Sequence, residues 1–236
     1  MILNPIPSKP RKPLRAAEHV PKFAVATPPR IYVLAGVNGA GKSSLGGAAF
    51  REAGGDYYNP DEAARSLKAA NPGLTQTAAN SRAWQIGKGL LQKAITNRLD
   101  FAFETTLGAN SIPALLRNAA QNGIEIHVWY AGLASPELHI ARVKSRVKKG
   151  GHDIAEADIR RRFDHSRLNL IDLLPHLAAL RLYDNSTDAD PALGKLPEPV
   201  LVLHMERGQI RNMENLKNTP GWARPIVAAA LRLAPG

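Results

Sequence analysis

The segment Gly36-Val37-Asn38-Gly39-Ala40-Gly41-Lys42-Ser43 restricts the fold of this 236-residue chain more than any other feature. It matches the phosphate-binding loop pattern Gly-x-x-x-x-Gly-Lys-Ser at every position, and that loop connects a buried strand to the N-terminus of a helix. The apolar residues 31–35 before it predict the strand, and residues 43–53 after it predict the helix. The spacing therefore predicts an α/β fold that binds a nucleoside triphosphate.

Each position of the loop has a chemical reason. Glycines let backbone N–H groups turn toward phosphates, and the helix N-terminus adds partial positive charge. We expect Lys42 to neutralise the β- and γ-phosphates and to act in catalysis, and the Ser43 hydroxyl to hold Mg²⁺. The predicted ligands of ATP or GTP are the loop residues Gly36, Asn38, Gly39, Ala40, Gly41, Lys42, Ser43 and Ser44.

Strand and helix patterns alternate along the rest of the chain. Short apolar runs near residues 56–58, 101–104, 124–130, 180–183 and 200–203 predict strands, and helices are predicted near 75–98, 112–122, 135–149 and 155–175. Such alternation predicts a parallel sheet with helices on both faces. We interpret residues 30–236 as one P-loop kinase domain, with the last two helices, about 135–175, as a closing lid hinged at Gly150-Gly151.

The net charge of +11 is concentrated in two segments. Residues 1–30 and 142–167 each carry an excess of five positive charges. Residues 1–29 also carry repeated prolines, so we predict an extended, flexible arm there. Such an arm suits an antitoxin-like partner or an acidic surface, or serves only as a linker, and nucleic acid is a less favoured partner. The chain has no cysteine, no long apolar run and no signal-peptide pattern, so we expect a cytoplasmic protein that does not cross a membrane.

Asp61 follows the second strand, at the sheet edge where open α/β folds place their sites. Its carboxylate suits a base that accepts the proton of an acceptor hydroxyl, or a ligand of Mg²⁺. The alternative is that Asp61 only caps the next helix.

Glu104, Thr105 and Thr106 end the third strand at the same edge. One carboxylate and two hydroxyls suit the recognition of a polar, hydroxyl-rich acceptor. The alternative is a solvated glutamate beside a threonine N-cap.

The predicted lid is rich in arginine. Arg146 lies on the first lid helix, and Arg161 and Arg162 follow the glycines on a helix whose buried side carries Ile159 and Phe163. If the lid closes over the nucleotide, one or two of these arginines stabilise the charge on the transferring phosphoryl group. A solvated basic face is the alternative for each of them.

Taken together, these motifs resemble the zeta-toxin-like P-loop kinases, which include toxins that phosphorylate UDP-N-acetylglucosamine. The resemblance runs from about residue 30 to residue 186 and rests on the loop, on Asn59-Pro60-Asp61, on Phe103-Glu104-Thr105-Thr106, and on the lid pattern Arg146…Gly150-Gly151-His152…Arg160-Arg161-Arg162-Phe163. It implies a nucleotide-kinase-like fold. It also implies that Asp61 is the general base, that Glu104 and the threonines hold the acceptor, and that lid arginines bind phosphates.

The chain departs from that pattern at the strand near 124–130, which does not end in an acidic residue, so Asp61 or water must complete the Mg²⁺ shell. The predicted function is transfer of a terminal phosphoryl group to a hydroxyl of a sugar nucleotide. Two alternatives are a kinase for another hydroxyl, on a nucleic-acid end, a dinucleotide or an antibiotic, and a regulatory module that binds nucleotide without catalysis.

Overall fold

The computed structural model describes residues 27–42, 45, 57–187 and 198–234. Its strands are β1 (Arg30–Ala35), β2 (Tyr57–Tyr58), β3 (Phe101–Thr105), β4 (Glu125–Gly132), β5 (Ala179–Asp184), β6 (Val200–Glu206) and β7 (Gln209–Met213). Its α-helices are α1 (Pro60–Ala70), α2 (Gln76–Asn97), α3 (Ser111–Gln121), α4 (Pro136–Lys148), α5 (Glu156–Leu173) and α6 (Arg224–Leu233). The predicted arm at 1–29 and the helix after the loop lie mostly outside the described residues.

The seven strands form one sheet in the order β2-β3-β1-β4-β5-β6-β7. The strands from β2 to β5 in this order run parallel to one another. β6 pairs antiparallel with β5, and β7 pairs antiparallel with β6. The α/β fold class is confirmed, with an antiparallel extension in place of the wholly parallel sheet predicted. The extension arises because β5, β6 and β7 follow one another without a helical crossover in the described residues.

β1 lies in the middle of the sheet, between β3 and β4. Ile31 and Val33 are fully buried, and they pack with Ile126 and Val128 of β4 in the main hydrophobic core. After β1 the chain forms β2 and β3 on one side of that strand and then β4 on its other side, so the carboxyl end of β1 is a topological switch point. Open α/β sheets bind their ligands at such a point.

Helices α4 and α5, which cover most of the predicted lid, pack onto the phosphate loop. Val37 of the loop is buried in a small apolar cluster with Ile140 and Val143 of α4 and Ile159 of α5. This contact removes apolar surface from water, so it holds the lid against the loop. No helix in the described part of the chain is long and apolar enough to cross a membrane.

Trp222 locks the segment before α6 against the end of β4. Its indole stacks on Tyr130 with ring centroids 6.1 Å apart, and its Nε1–H donates to Asp184 at 2.9 Å. A Cβ atom added at Gly132 would overlap three atoms of this ring. The ring cannot yield without losing its hydrogen bond, so this position requires glycine.

We therefore expect Gly132→Ala to lower the free energy of unfolding by about 1–3 kcal/mol, because it overpacks a rigid contact. Urea denaturation measures the change. Gly73→Ala is the matched control, since nothing lies within 4 Å of the added Cβ atom. Equal denaturation midpoints for the two variants would contradict the packing argument.

Candidate active site

The phosphate loop follows β1 directly, and its glycines allow close backbone contacts. Gly36 has a φ of 139°, and a Cβ atom there would overlap the carbonyl oxygen of Ala131 on β4. Gly41 has a φ of 81° and leaves room for the side chain of Asn185. The N–H of Leu45 donates to the carbonyl of Gly41 at 3.2 Å, as in a first helical turn. Ser43 and Ser44, predicted nucleotide ligands, lie outside the described residues.

Three side chains from other elements hold the loop. Asn185, which follows β5, donates from Nδ2 to the carbonyl of Ala40 at 2.9 Å. Arg162 of α5 donates to Oδ1 of Asn38 at 2.7 Å, and Nδ1 of His139 on α4 lies 2.9 Å from the Asn38 carbonyl. Asn38 is therefore held by both lid helices, once through its side chain and once through its backbone.

His139 is buried, and burial lowers its pKa to about 4. The imidazole is therefore neutral at pH 7. Because a carbonyl oxygen only accepts hydrogen bonds, Nδ1 carries the proton and donates to Asn38. This histidine is a fixed donor that keeps the loop against α4.

Lys42 and Glu104 form an ion pair beneath the loop, with 3.3 Å between Nζ and Oε1 and both side chains 8% exposed. The other carboxylate oxygen of Glu104 accepts from Tyr57 at 2.8 Å and from Asn59 at 3.2 Å. The prediction assigned Glu104 to the acceptor, and its alternative made it a solvated residue. The structure buries this side chain beside Lys42 of the phosphate loop. Glu104 therefore lies between the loop and Asn59, the residue that leads to Asp61.

Asn59 connects this ion pair to Asp61. Its Oδ1 caps α1 by accepting from the backbone N–H groups of Asp61, at 2.9 Å, and of Glu62, at 3.3 Å. The helix cap is therefore Asn59 and not Asp61, which excludes the structural alternative considered for Asp61. With the cap supplied by its neighbour, the Asp61 carboxylate is free to face the lid.

Two lid residues meet that carboxylate. Arg146 donates from Nη1 to Oδ2 of Asp61 at 3.3 Å, and Nε2 of His152 lies 3.7 Å from Oδ1. Arg146 also donates to the carbonyl of His152 at 3.2 Å, and Gly151 leaves the space that the Arg146 side chain fills. Burial lowers the pKa of His152, so the charge facing Asp61 at neutral pH is mainly that of Arg146.

The predicted arginines separate into two groups. Arg146 and Arg162 reach the site, through Asp61 and Asn38. Arg161 instead pairs with Asp158 on its own helix at 2.7 Å, with 58% of its side chain exposed. The structure thus brings two of the three arginines together and leaves Arg161 on the outer face, as the solvated-face alternative expects.

Thr105 and Thr106 shape the turn after β3. Their hydroxyl oxygens accept from the N–H groups of Leu107, at 3.2 Å, and Gly108, at 3.3 Å. Neither caps α3, whose N-cap is Asn110. Each hydroxyl hydrogen remains able to donate to a ligand.

A cavity of about 320 Å³ brings several of the predicted site residues into one lining. Asn38 and Arg162 line it beside the loop, and Asp61 and Glu104 lie along its length. The rest of its wall includes residues of β3, of the turn that follows it, of α3 and of α2, namely Phe103, Thr105, Thr106, Ile112 and Trp84. Trp84 borders this cavity and is 37% exposed.

The carboxylates of Asp61 and Glu104 bring oxygen donors to this cavity. Such donors suit Mg²⁺, which prefers oxygen ligands and keeps several waters. No cluster of three or more acidic or histidine side chains that could hold a metal ion forms among the described residues. Glu104 is the penultimate residue of β3, the strand that adjoins β1, so its carboxylate lies beside the strand that leads into the phosphate loop. Both oxygens of Asp61 face cationic or imidazole groups.

Sequence reasoning missed His139, Asn185 and the capping role of Asn59. The Asn-Pro-Asp order was the available signal for Asn59, since asparagine before a proline at the first helical position is a frequent N-cap. His139 and Asn185 act on loop residues about 100 and 145 positions away in sequence, and no local pattern marks such contacts.

Comparison with known proteins gives a family. The family model described as zeta toxin matches residues 16–173, about two thirds of the chain. An uncharacterized protein of Haemophilus influenzae is 36% identical over 129 residues, which are 54% of this chain and 88% of that protein.

Two solved structures have similar folds. The AvrRxo1-ORF1:ORF2 structure with ATP has a TM-score of 0.62 at 17% identity, over 81% of this chain and 62% of the matched chain. This chain therefore spans less than two thirds of that protein. A structure from the PezAT chromosomal toxin–antitoxin system of Streptococcus pneumoniae has a TM-score of 0.54 at 13% identity, over 91% of this chain and 89% of that one. At these identities the likeness concerns the fold.

The neutral state of His139 predicts a dependence of stability on pH. An unfolded histidine takes up a proton near pH 6.5, whereas His139 in the folded chain stays neutral until about pH 4. Its contribution to stability is therefore complete above pH 6.5 and is lost as the pH falls toward 4, by up to roughly 3 kcal/mol.

We expect His139→Gln, which keeps a donor toward Asn38, to lose less stability than the natural chain between pH 7 and pH 4. Urea denaturation at several pH values measures this slope. His165→Gln, at an exposed position on α5, is the control and should keep the natural slope. A His139→Gln slope as steep as the natural one would contradict the assignment.

Proposed function

The chain belongs to the zeta-toxin family of P-loop phosphotransferases, and on that premise we propose that it transfers the terminal phosphoryl group of ATP or GTP to a hydroxyl of a sugar nucleotide such as UDP-N-acetylglucosamine. The observation that carries the proposal is one half-open cavity whose lining runs from Asn38 of the phosphate loop past Asp61 and Glu104 to Thr105 and Thr106, with room for an acceptor. A nucleotide switch has no need of an acceptor space beside its phosphates.

The loop and the lid have separate tasks in this reaction. Backbone N–H groups of residues 36–42 and the Lys42 ammonium bind the phosphates, and Arg162, already hydrogen-bonded to loop residue Asn38, lies beside them. Arg146, which pairs with Asp61 in the free chain, exchanges that partner for phosphate oxygens when the nucleotide binds, before phosphoryl transfer begins. Such preorganised cations lower the barrier because their position is set before the reaction starts.

Asp61 accepts the proton of the acceptor hydroxyl. It lies at the N-terminus of α1, whose orientation is fixed by the Asn59 cap and by the hydrogen bond from Asn59 to Glu104. The base and the lysine that binds phosphate are therefore linked through two side chains. Thr105 and Thr106 donate to hydroxyls of the acceptor and orient the reacting oxygen toward Asp61.

Mg²⁺, if bound, would supply positive charge that offsets the β- and γ-phosphates. The Ser43 hydroxyl and the Glu104 carboxylate are the residues we assign to it, with Asp61 as a further oxygen donor through water. Displacement of Lys42 from Glu104 by the phosphates would release that carboxylate for this role.

We also propose an antitoxin-like partner. Two of the similar folds come from an AvrRxo1-ORF1:ORF2 complex and from a toxin–antitoxin system, which supports a partner of this kind. The basic arm proposed to contact it falls in residues outside the described ranges.

The direct test is incubation of the protein with labelled ATP or GTP and Mg²⁺, and with a panel of sugar nucleotides, a dinucleotide and an oligonucleotide. We expect label on a sugar nucleotide, and none with Lys42→Ala. Labelling of the oligonucleotide or dinucleotide alone would move the proposal to another hydroxyl. Nucleotide hydrolysis without transfer to any acceptor would overturn it in favour of a regulatory module.

Asp61→Asn keeps the size of the side chain and removes its basicity. We expect kcat to fall by about 10²- to 10⁴-fold while the affinity for ATP stays within a few-fold. Glu62→Gln, at the next and exposed position of the same helix turn, is the control. Unchanged transfer by Asp61→Asn would contradict its assignment as the base.

The two arginine groups predict different kinetics. Arg162→Ala should lower kcat by roughly 10²-fold or more, because it removes a cation beside the phosphates. Arg161→Ala, its neighbour on α5, should stay within about threefold, since an exposed ion pair with Asp158 contributes little. Steady-state transfer rates measure both, and equal losses would contradict the division.

A further inference from the structure

One row of α2 faces the acceptor end of the cavity. Asn80, Trp84 and Lys88 lie four residues apart, on one line along the helix, and all three border the cavity. A helix rises about 1.5 Å per residue, so this row places an amide, an indole and an ammonium group along about 12 Å. We call these three residues the α2 row.

The α2 row is held rigidly. Gly87 leaves a notch in α2 that the ring of Tyr58 fills, and a Cβ atom there would lie 2.5 Å from the ring. The Tyr58 hydroxyl donates to the carbonyl of Ala83, one turn earlier. Because Ala83 and Gly87 form the buried side of α2, the row beside them keeps a fixed distance from β2 and β3.

Two members of the row have surface available for a ligand. Trp84 is 37% exposed, and its indole borders the cavity opposite the apolar residues Phe103 and Ile112. The Lys88 ammonium lies 5.4 Å from the centre of that indole, and no carboxylate in the described ranges pairs with it. An aromatic surface therefore adjoins an unneutralised positive charge, away from the phosphate loop.

We propose that Trp84 and Lys88 determine acceptor specificity by selecting a molecule that carries a flat ring and an anionic group. The ring stacks on the Trp84 indole, and the anion pairs with the Lys88 ammonium. A neutral sugar would use neither group. This inference rests on the proposed function, which makes this cavity the acceptor site.

The experiment compares three probes that divide the two features. Uridine 5′-monophosphate carries a ring and a phosphate, uridine carries the ring alone, and ribose 5-phosphate carries the phosphate alone. Binding to the full chain is measured by calorimetry with a non-hydrolysable ATP analogue at saturation, so that the phosphate probes cannot occupy the loop. We expect uridine 5′-monophosphate to bind at least about tenfold more tightly than either fragment.

Each substitution should remove one preference. Lys88→Gln should bring the affinities for uridine 5′-monophosphate and uridine close together, and Trp84→Ala should do the same for uridine 5′-monophosphate and ribose 5-phosphate. Trp84→Phe keeps a ring and should retain most of the second preference. Arg82→Ala, an exposed cation of the same helix outside the cavity lining, should change neither.

The proposal is overturned if uridine 5′-monophosphate does not bind, or if either substitution leaves its affinity ratio at the natural value. Circular dichroism of each variant shows whether a loss is one of folding, and Trp84→Phe repeats the test with a smaller aromatic ring. If the affinity ratios change as expected but no phosphoryl group is transferred to any acceptor, the proposed function is refuted and the role of the α2 row stands. If transfer occurs but the substitutions leave the affinity ratios unchanged, the proposed function stands and the role of the α2 row is refuted.

Discussion

The buried ion pair between Lys42 and Glu104 is the contact on which the geometry of the site depends. It joins the end of the phosphate loop to the end of β3, and Tyr57 and Asn59 extend it to the start of α1. Two charges withdrawn from water are tolerated only where partners satisfy them, and removing one partner leaves an uncompensated charge. This network therefore fixes the separation between the phosphate end of the cavity and Asp61.

A similar balance holds throughout the lid. Arg146 is compensated by Asp61, and Arg162 lies 4.0 Å from the Asp158 carboxylate and donates to the side-chain oxygen of Asn38. The cations that bind phosphates in the proposed reaction thus have protein partners in the free chain, because a cavity lined by unpaired cations would be costly. In the proposed reaction, nucleotide phosphates would replace these contacts with stronger ones, and both carboxylates, Asp61 and Glu104, would then be released for the roles proposed for them.

Much of this arrangement could be predicted. The loop pattern located β1 and its glycines, and the strand order placed Asp61 and Glu104 at one edge. Local sequence did not reveal that Asn59 supplies the helix cap, nor that Arg161 turns to Asp158 while Arg162 reaches Asn38. Neighbouring arginines on a helix differ by about 100° in direction, and only packing against another element decides which one meets the loop.

Trp84 illustrates the same limit. Its helical spacing suits a packed residue, yet Ala83 and Gly87 occupy the buried side of α2 and leave the indole at the cavity. The spacing of apolar residues in the sequence predicted that this segment is a helix, but it did not predict which side of the helix faces the sheet. That rotation is set by the Tyr58 ring in the Gly87 notch, a contact across 29 residues of sequence.

The sequence by itself determined the phosphate loop, the α/β fold class and the kinds of side chain at the sheet edge, because each depends on short-range spacing and backbone preference. Tertiary structure alone decided how that loop is held: by His139 and Arg162 on Asn38, by Asn185 on Ala40, and by Glu104 on Lys42. Those contacts join residues 62 to 145 positions apart. Their distances follow from the packing of the lid and strands around β1, which no local pattern specifies.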